Sequence, residues 1–168
     1  LTISEVNPDE QPSFDQIKEA RKNYTLVRES TQDIRLVSDA TFNEGGLLER
    51  VADNPEGLVE HYYTFDKNKD ETLQQKEFDA SGLFQDVSFG DYDLNQDKGL
   101  DYGELFEIAS MTTYAEIEKV FRAYNEKYSS AEGARVSQAT SKIGFACEKQ
   151  GRPSEMLELY YQDIKKYG

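Results

Sequence analysis

The amino-acid sequence predicts an all-α fold. Apolar residues recur at the three- and four-residue spacing of amphipathic helices, and polar loops separate these short stretches. The alternation of apolar and polar residues that indicates a half-buried strand is nearly absent. With 168 residues, of which 37% are hydrophobic, the chain can bury one modest core or two small cores that share a linker.

The first predicted helix begins at a capping signal. Residues 1–12 carry Pro8 and Pro12 among polar side chains, which predicts an extended tail. Ser13 followed by Gln16 matches a capping box, in which each residue's side chain satisfies the other's backbone N–H at a helix start. The apolar side of this helix carries Phe14, Ile17 and Tyr24.

Two more helices are predicted before the middle of the chain. The second helix extends from about residue 38 to residue 50, and Gly45 and Gly46 weaken its later half. Asn54-Pro55 marks a new start, because proline is tolerated at the first helical position, where its missing N–H costs nothing. The inner face of this third helix carries Leu58, Tyr62 and Phe65.

Three helices are predicted in the last third of the chain. Thr113 and Glu116 match a second capping box, which predicts a helix start at this point. The apolar stripe of that helix consists of Ile117, Val120, Phe121 and Tyr124. Residues 137–149 and 154–166 complete the set, and the last is an extra C-terminal helix.

An internal repeat relates the two ends of the chain. The stretch VSDAT at 37–41 matches VSQAT at 136–140, and NPEGLVEHYY at 54–63 matches RPSEMLELYY at 152–161. The separation between the matched stretches is nearly constant. It indicates that one structural unit, a helix, a proline-containing connector and a second helix, occurs in both halves.

The charge of the chain limits its partners. Lys and Arg total 19 against 33 Asp and Glu, and the net charge of -14 argues against nucleic acid, whose phosphates would be repelled. Cations and basic peptides are the expected counterparts. No apolar run approaches the ~18 residues that span a bilayer, so no transmembrane segment is predicted.

The cysteine content and the first residue leave the compartment undecided. Cys147 is the single cysteine, which excludes an internal disulfide, and its helical context predicts a core position. The chain begins at Leu1 without Met, so either a targeting segment was removed or the sequence is a fragment. An intracellular location is the expectation, with an organelle as the alternative.

Two stretches place an oxygen-bearing side chain at every second residue. They are FDKNKDETLQQKEF at 65–78 and YDLNQDKGLDYGELF at 92–106, and in each a Glu follows the first Asp by eleven residues. Ca²⁺ takes six to eight oxygen ligands at about 2.3 to 2.6 Å, which alternate residues of a tight turn can supply. The candidate metal ligands are Asp66, Asn68, Asp70, Thr72, Gln74 and Glu77 in loop 1, and Asp93, Asn95, Asp97, Gly99, Asp101 and Glu104 in loop 2.

These loops resemble those of the EF-hand superfamily of calcium-binding proteins. The flanking residues agree with the resemblance: Phe65 and Tyr92 precede the loops, and Phe78 and Leu105 follow them. Residues 116–128 resemble an entering helix, and 148–157 resemble the linker between successive hands. The resemblance covers about 13–167 and implies EF-hand helix-loop-helix pairs, with four hands and an extra C-terminal helix. It implies Ca²⁺ in the middle two hands, with Mg²⁺ as the alternative ion at rest.

The first and fourth hands are degenerate on this interpretation. A loop after Tyr24 would offer Thr25, Val27 and Glu29, and a loop after Tyr124 would offer Asn125, Lys127 and Ser129 before Val136. Neither loop ends in Glu at the expected place. The expected units are the tail 1–12, an N-terminal pair of hands at 13–82, a C-terminal pair at 83–150 and the C-terminal helix at 151–168.

The pairing of the two ligand-bearing loops stays open. Leu73 and Leu100 occupy position 8, the residue that packs against its counterpart when two such loops pair. Only 15 residues, 78–92, hold both an exiting and an entering helix, and Gly82 and Gly90 interrupt them. These lengths favour pairing of each loop with a degenerate neighbour over pairing with each other.

Two features predict weaker binding than an ideal loop of this type. Position 6, where glycine makes the sharp turn, holds Glu71 and Lys98, and a positive φ there costs on the order of 1 to 2 kcal/mol. Lys67, Lys69 and Lys98 also add positive charge near the ion. We expect micromolar or weaker dissociation constants, with loop 2 tighter because it has four carboxylates against three.

Other functional classes find less support. His61 faces the helix interior and is expected to pack rather than bind metal. With one His and no nucleophile beside a base, no enzymatic activity is predicted. Met111 and Met156 are too few for a methionine-rich promiscuous groove.

Within calcium binding, the sequence favours a calcium-responsive adaptor or regulatory subunit of a protein assembly. The expected partner is a protein, either in a dedicated complex or through a basic amphipathic helix. A soluble calcium buffer and a structural subunit with relic metal loops are the alternatives.

Overall fold

The computed structural model describes residues 12–81 and 87–167, and this part of the chain is mostly helical. It forms α1 (Phe14–Ser30), α2 (Ile34–Asp53), α3 (Glu56–Tyr63), α4 (Gln75–Ser81), α5 (Phe89–Tyr92), α6 (Tyr102–Tyr128), α7 (Val136–Lys149) and α8 (Pro153–Tyr167). The only strands in the described ranges are β1 (Leu73–Gln74) and β2 (Gly99–Leu100). The all-α class is therefore confirmed. Residues 1–11 of the expected tail and the expected boundary between residues 82 and 83 lie outside the described residues.

Helix α1 begins where the sequence predicts and ends later. The Ser13 N–H donates to Gln16 Oε1 at 2.8 Å, and the Gln16 N–H donates to Ser13 Oγ at 3.3 Å, which confirms the capping box. The expected degenerate loop after Tyr24 is wrong, because the chain stays helical to Ser30. No Gly or Pro interrupts these residues, and Arg28 donates to Thr25 Oγ1 one turn away at 2.9 Å.

Helix α2 continues through its two glycines. It starts at Asp33, whose carboxylate accepts the Arg35 N–H at 2.9 Å, and it ends at Asp53. A Cβ at Gly45 would collide with the ring of Phe121 on α6. Because Gly45 has no side chain, the ring of Phe121 can pack directly against the backbone of α2. This contact between α2 and α6 offsets the low helix propensity of glycine.

Helix α6 is longer than predicted. Thr113 lies in its interior and is buried, and its hydroxyl donates to the Ala109 carbonyl at 2.7 Å. The predicted helix start at Thr113 is therefore wrong, since the hydroxyl bonds to a carbonyl of the preceding turn instead of capping a first turn. The expected loop after Tyr124 is also wrong over its first residues, because α6 continues to Tyr128.

The repeated unit is confirmed, but its two copies pack differently. In the first copy α2 is followed by Pro55 and α3, and in the second α7 is followed by α8, which begins at Pro153. Helix α3 packs against α6 and α1, whereas α8 folds back against α7. Related sequences thus form the same local structure in two different tertiary settings.

Two main apolar clusters share α6. One joins α2, the later half of α6 and α7, with Leu48, Ile117, Phe121 and Ile143 among its buried members. The other surrounds the two loops and consists of Val59, Tyr62, Leu73, Phe78, Phe89, Leu100, Leu105, Ile108 and Ala109. A smaller cluster, with Ile17 and Leu47 among its members, joins α1 to α2. Cys147 is buried in the first cluster, as predicted.

His61 packs against aromatic rings, which confirms its expected role. Its imidazole lies parallel to the ring of Phe14, with 3.7 Å between ring centroids. Phe65 meets the same imidazole edge to face at 5.6 Å. Desolvation lowers the pKa of His61, because the charged imidazolium is disfavoured among rings.

None of the helices in the described part of the chain combines the length and the apolar character that a membrane span requires.

Candidate metal site

The two ligand-bearing loops pair with each other. Loop 1 connects α3 to α4, and loop 2 connects α5 to α6. Strands β1 and β2 lie inside the loops and pair antiparallel, with Leu73 opposite Leu100. The expectation that each loop pairs with a degenerate neighbour is therefore wrong. The spacing that suggested it is accommodated by short helices, since α4 has 7 residues and α5 has 4.

The leucines at position 8 explain why this pairing is stable. Leu73 and Leu100 are both 0% exposed and belong to one apolar cluster. Each buried leucine contributes roughly 1.5 to 3 kcal/mol relative to an exposed one. The sequence predicted that these side chains are apolar because they pack against a counterpart, and the structure confirms that they meet each other.

Both loops hold non-glycine residues in the left-handed region. At position 6 the backbone φ of Glu71 is 65° and that of Lys98 is 74°, as the sequence predicted. Lys69 and Gln96, at position 4, also have positive φ, of 59° each. Sequence reasoning missed these two residues, and no local signal marks them. Each strained residue costs on the order of 1 to 2 kcal/mol, which the rest of each loop must offset.

In loop 1 the acidic side chains hold the backbone turn. Asp66 accepts the Lys69 N–H on Oδ1 at 2.7 Å and the Glu71 N–H on Oδ2 at 3.0 Å. Asp70 Oδ1 accepts the Thr72 N–H at 3.1 Å and the Thr72 hydroxyl at 2.8 Å. Asp66 thus holds both residues of loop 1 that have positive φ, and Asp70 holds the backbone that follows them.

The hydrogen bond from the Thr72 hydroxyl is the main cause that lowers the pKa of Asp70. Asn68 and Gln74 also donate to Asp70 Oδ2, at 2.9 and 2.8 Å. The lowered pKa extends the charged form of this exposed carboxylate, which is the form that binds a cation, to more acidic pH.

The final Glu of each loop reaches back to the loop's start. Glu77 accepts the Lys67 N–H at 2.7 Å and the Gln74 N–H at 3.1 Å. Glu104 likewise accepts the Leu94 N–H at 2.8 Å. Position 12 therefore closes each loop onto position 2, as the long side chain of glutamate permits.

Glu104 also begins helix α6. Its Oε2 accepts the Asp101 N–H at 3.0 Å, and Asp101 Oδ1 accepts the Glu104 N–H at 3.0 Å. This is a capping box between two candidate ligands, at positions 9 and 12. Sequence reasoning missed it, although the spacing Asp-x-x-Glu at 101–104 is its signal.

One oxygen of loop 2 lacks a partner. Asp93 Oδ2 accepts the Lys98 N–H at 3.1 Å, but Asp93 Oδ1 is buried and accepts no hydrogen bond in the described part of the chain. Only one other buried side-chain atom in the described ranges, Asn125 Oδ1, shares this property. Buried carboxylate oxygens are rarely left unpaired. A cation held by the oxygen donors of loop 2 would satisfy Asp93 Oδ1, so these residues fit a hard divalent ion such as Ca²⁺.

The carboxylates of either loop are more widely spread than a closed coordination sphere. Among the described residues, the one set of three acidic, His or Cys ligand atoms within 4.8 Å of one another is Glu118, Cys147 and Glu155. In the loops the carboxylates instead accept N–H groups. Mutual repulsion favours this spread, and an ion would draw the oxygens together.

The cluster at Glu118 is an ion-pair network rather than a cation site. Arg152 and Arg122 both bond to Glu118, and both also bond to Glu155. The hydrogen bond from Arg152 and further ones from Arg122 and Gln150 outweigh desolvation and lower the pKa of Glu118. Because two guanidinium groups already neutralise the two carboxylates, a metal ion would meet cations here.

Comparisons with models of protein families, with curated proteins and with solved structures found no match. The functional interpretation therefore depends on the geometry of the two loops and on the surfaces around them.

Proposed function

We propose that the protein is a member of the EF-hand superfamily that binds Ca²⁺ and acts as a calcium-responsive adaptor or regulatory subunit of a protein assembly. One observation carries the proposal. Two loops with the same oxygen register pair through Leu73 and Leu100, and Asp93 Oδ1 in loop 2 is buried without a partner. A pair of loops that differ in sequence but share this register is hard to explain without a common ligand.

The loop side chains would hold the ion. Asp66, Asn68, Asp70 and Glu77 are the side-chain ligands of loop 1, with Thr72 and Gln74 at the remaining positions. Asp93, Asn95, Asp97 and Glu104 are their counterparts in loop 2, with Gly99 and Asp101 at the remaining positions. These carboxylates would be neutralised by a bound Ca²⁺ and would hold the loop backbone around it. The paired strands then link the state of one loop to the other.

The order of affinity follows from charge and solvation. Loop 2 has four carboxylates against three in loop 1, and one carboxylate oxygen of loop 2 is already desolvated without a donor. We therefore propose that loop 2 binds first. The left-handed Glu71 and Lys98 keep both affinities micromolar or weaker, within the ~10⁻⁷ to 10⁻³ M range of such loops.

Calorimetric titration with Ca²⁺ tests the proposal. The wild-type chain should bind two ions, and Glu104→Gln should weaken binding at loop 2 by about tenfold or more, because it removes one of four charges. Glu107→Gln is the matched control, since Glu107 is an exposed residue one turn along the same helix. Its titration should match that of the wild-type chain.

Three outcomes would contradict parts of the proposal. A chain that releases no heat with Ca²⁺ or Mg²⁺ would be a structural subunit with relic loops. Nanomolar binding at both loops would overturn the predicted affinities. A protein that binds Ca²⁺ without any change in the fluorescence of an apolar-surface dye would be a buffer, because a regulatory subunit has to change its accessible surface.

A further inference from the structure

A long groove lies between α1 and α6, with α2 as its floor. One face of α1, from Phe14 to Glu29, forms one wall, and one face of α6, from Met111 to Tyr128, forms the other. Leu48 and Val51 of α2 lie at the bottom of the groove and are only 3% and 2% exposed. At one end the groove reaches Tyr92, the residue directly before loop 2, and the candidate metal ligands themselves do not line it.

The size of the groove fits a helix better than a small molecule. Its volume is about 1590 Å³. Pockets for small ligands hold roughly 300 to 1,000 Å³. The wall from Met111 to Tyr128 is about 26 Å long at 1.5 Å per residue, and a helix of that length and about 10 Å across has a volume of about 2,000 Å³. The wall is therefore long enough to face a helix of four to five turns.

The charge of the groove is opposite to that of the protein. Six Lys or Arg residues and three Glu residues line it, a local net charge of +3 on a chain with a net charge of -14. The net negative charge of the whole chain predicts a basic partner, whereas the groove itself is positively charged. The positive lining therefore predicts an acidic ligand for this groove.

Two of the three acidic residues of the groove, Glu44 and Glu116, are already paired. Glu44 is 1% exposed, and it accepts from Arg21 Nε at 3.0 Å and from Arg28. Arg21 also donates to Glu116 at 2.8 Å, so that one guanidinium joins α1 to both α2 and α6. The pairs with Glu44 tie α1 to the floor, and the Arg21–Glu116 pair joins the two walls directly. The charge of the rim is then set by four lysines and the exposed Glu29.

The rim lysines are available to a partner. Lys22 on α1 and Lys119 on α6 have side chains 76% and 77% exposed. Their nearest carboxylates, Glu19 and Glu116, lie 3.9 and 3.6 Å away on their own helices, in exposed pairs that contribute little. Lys18 and Lys127 line the same groove. An occupant with carboxylates on both flanks would meet a basic residue on each wall.

We propose that this groove binds an acidic amphipathic helix of a partner protein, with the apolar face of that helix against partly exposed apolar residues of the walls, such as Met111 and Val120, and its carboxylates beside the rim lysines. The inference deepens the proposed function, because it states the chemistry of the partner that a regulatory subunit requires. Helices that dock in grooves use apolar anchors three and four residues apart.

A pair of synthetic peptides tests the proposal. The first is a fluorescent 17-residue helix with Leu at helical spacing and Glu on both flanks, and the second has every Glu replaced by Lys. Fluorescence anisotropy should show saturable binding of the Glu peptide, weakened by salt, and no comparable binding of the Lys peptide.

Charge reversal on the rim supplies the decisive comparison. Lys22→Glu combined with Lys119→Glu should weaken binding of the Glu peptide about tenfold or more and should improve binding of the Lys peptide. Lys76→Glu combined with Lys165→Glu is the matched control, because both lysines are exposed and outside the groove and the net charge changes equally. The control should bind the Glu peptide within about twofold of the wild-type chain. All four substituted lysines are exposed, so circular dichroism should show both variants folded.

Several results would overturn the inference. Failure of the Glu peptide to bind, or equal loss in both double variants, would remove the groove as its site. Self-association that the Lys22→Glu and Lys119→Glu pair abolishes would assign the groove to a second copy of this chain. Binding of phosphatidylserine vesicles by the wild-type chain, lost in the same pair while the Glu peptide never binds, would assign it to anionic lipid. A Ca²⁺ titration of the same samples separates failure of this inference from failure of the proposed metal binding.

Discussion

Lys98 holds a backbone conformation that costs free energy in most residues. Its φ of 74° lies in the left-handed region, and its N–H is fixed by Asp93 Oδ2. Replacing it by Gly or by Ala removes the same ammonium group, so the two variants differ in backbone strain and in the backbone entropy of the unfolded chain. We predict that Lys98→Gly is more stable than Lys98→Ala by about 1 kcal/mol, measured by urea unfolding in the presence of chelator.

Lys76 is a control position at which Gly should be less stable than Ala. It lies in helix α4, where the backbone is helical and Gly costs about 1 kcal/mol relative to Ala. Lys76→Gly should therefore be less stable than Lys76→Ala. Equal stability of the two Lys98 variants would show that the turn relaxes around position 98 and that strain does not limit the affinity of loop 2.

At the scale of elements, α2 meets α6 through one particular glycine. A Cβ at Gly45 would collide with the buried ring of Phe121, whereas nothing lies within 4 Å of a Cβ at Gly46. We predict that Gly45→Ala destabilises the fold by about 1 to 3 kcal/mol through overpacking. Gly46→Ala should stabilise it by about 0.5 to 1 kcal/mol through helix propensity. Thermal unfolding of the two variants measures both effects.

A double-mutant cycle attributes the loss to that contact. Phe121→Leu alone removes part of the apolar cluster and should destabilise the protein. In the Gly45→Ala background the same change should cost less, because the smaller side chain makes room for the new methyl group. Additive effects would mean that α2 shifts as a whole to relieve the collision.

The pairing of the two loops depends on a second close approach. A Cβ at Gly99 would lie 2.9 Å from both Cβ and Oγ1 of Thr72 on the other loop. Thr72 is branched at Cβ and cannot move aside by a rotamer change alone. We predict that Gly99→Ala lowers the melting temperature and weakens Ca²⁺ binding in both loops.

Gly90 is the matched glycine for this comparison. It lies in the short helix α5 before loop 2, and nothing lies within 4 Å of its Cβ position. Gly90→Ala should therefore leave both binding constants unchanged in the same titration. Weakening confined to loop 2 in Gly99→Ala would show that the loops bind independently despite their paired strands.

At the scale of the whole molecule, α6 joins two apolar clusters with different relations to the metal. Its first turns, with Leu105 and Ile108, pack with the loops, and its later turns, with Ile117 and Phe121, pack with α2 and α7. A ligand stabilises most strongly the cluster that forms its site. Saturating Ca²⁺ at 100 times its dissociation constant supplies about 2.7 kcal/mol.

Amide hydrogen exchange measures which elements Ca²⁺ stabilises. Ca²⁺ should slow amide exchange in β1, β2 and the first turns of α6 by up to about 100-fold, and it should slow exchange in α7 much less. Exchange from α7 that slows to the same degree would mean that the two clusters unfold as one cooperative unit.

The fold could be predicted where the signal is local. The capping box of Ser13 and Gln16, the proline-containing connectors at 55 and 153 and the apolar stripes are read within one or two helical turns. The helix start predicted at Thr113 was wrong because the local sequence does not distinguish two roles of threonine. One caps a helix start, and the other bonds to a carbonyl four residues back inside a helix. Only the contacts around the residue distinguish the two.

The sequence by itself determined the oxygen register of both loops, the apolar residue at position 8 and the left-handed strain at Glu71 and Lys98, since each depends on spacing within twelve residues. Tertiary structure alone decided that Leu73 meets Leu100, that Gly45 receives Phe121 and that basic residues gather along the α1–α6 groove of an acidic chain. The physical reason is that pairing, close packing and local charge depend on residues far apart in the chain. Their proximity depends on how several helices share one buried surface.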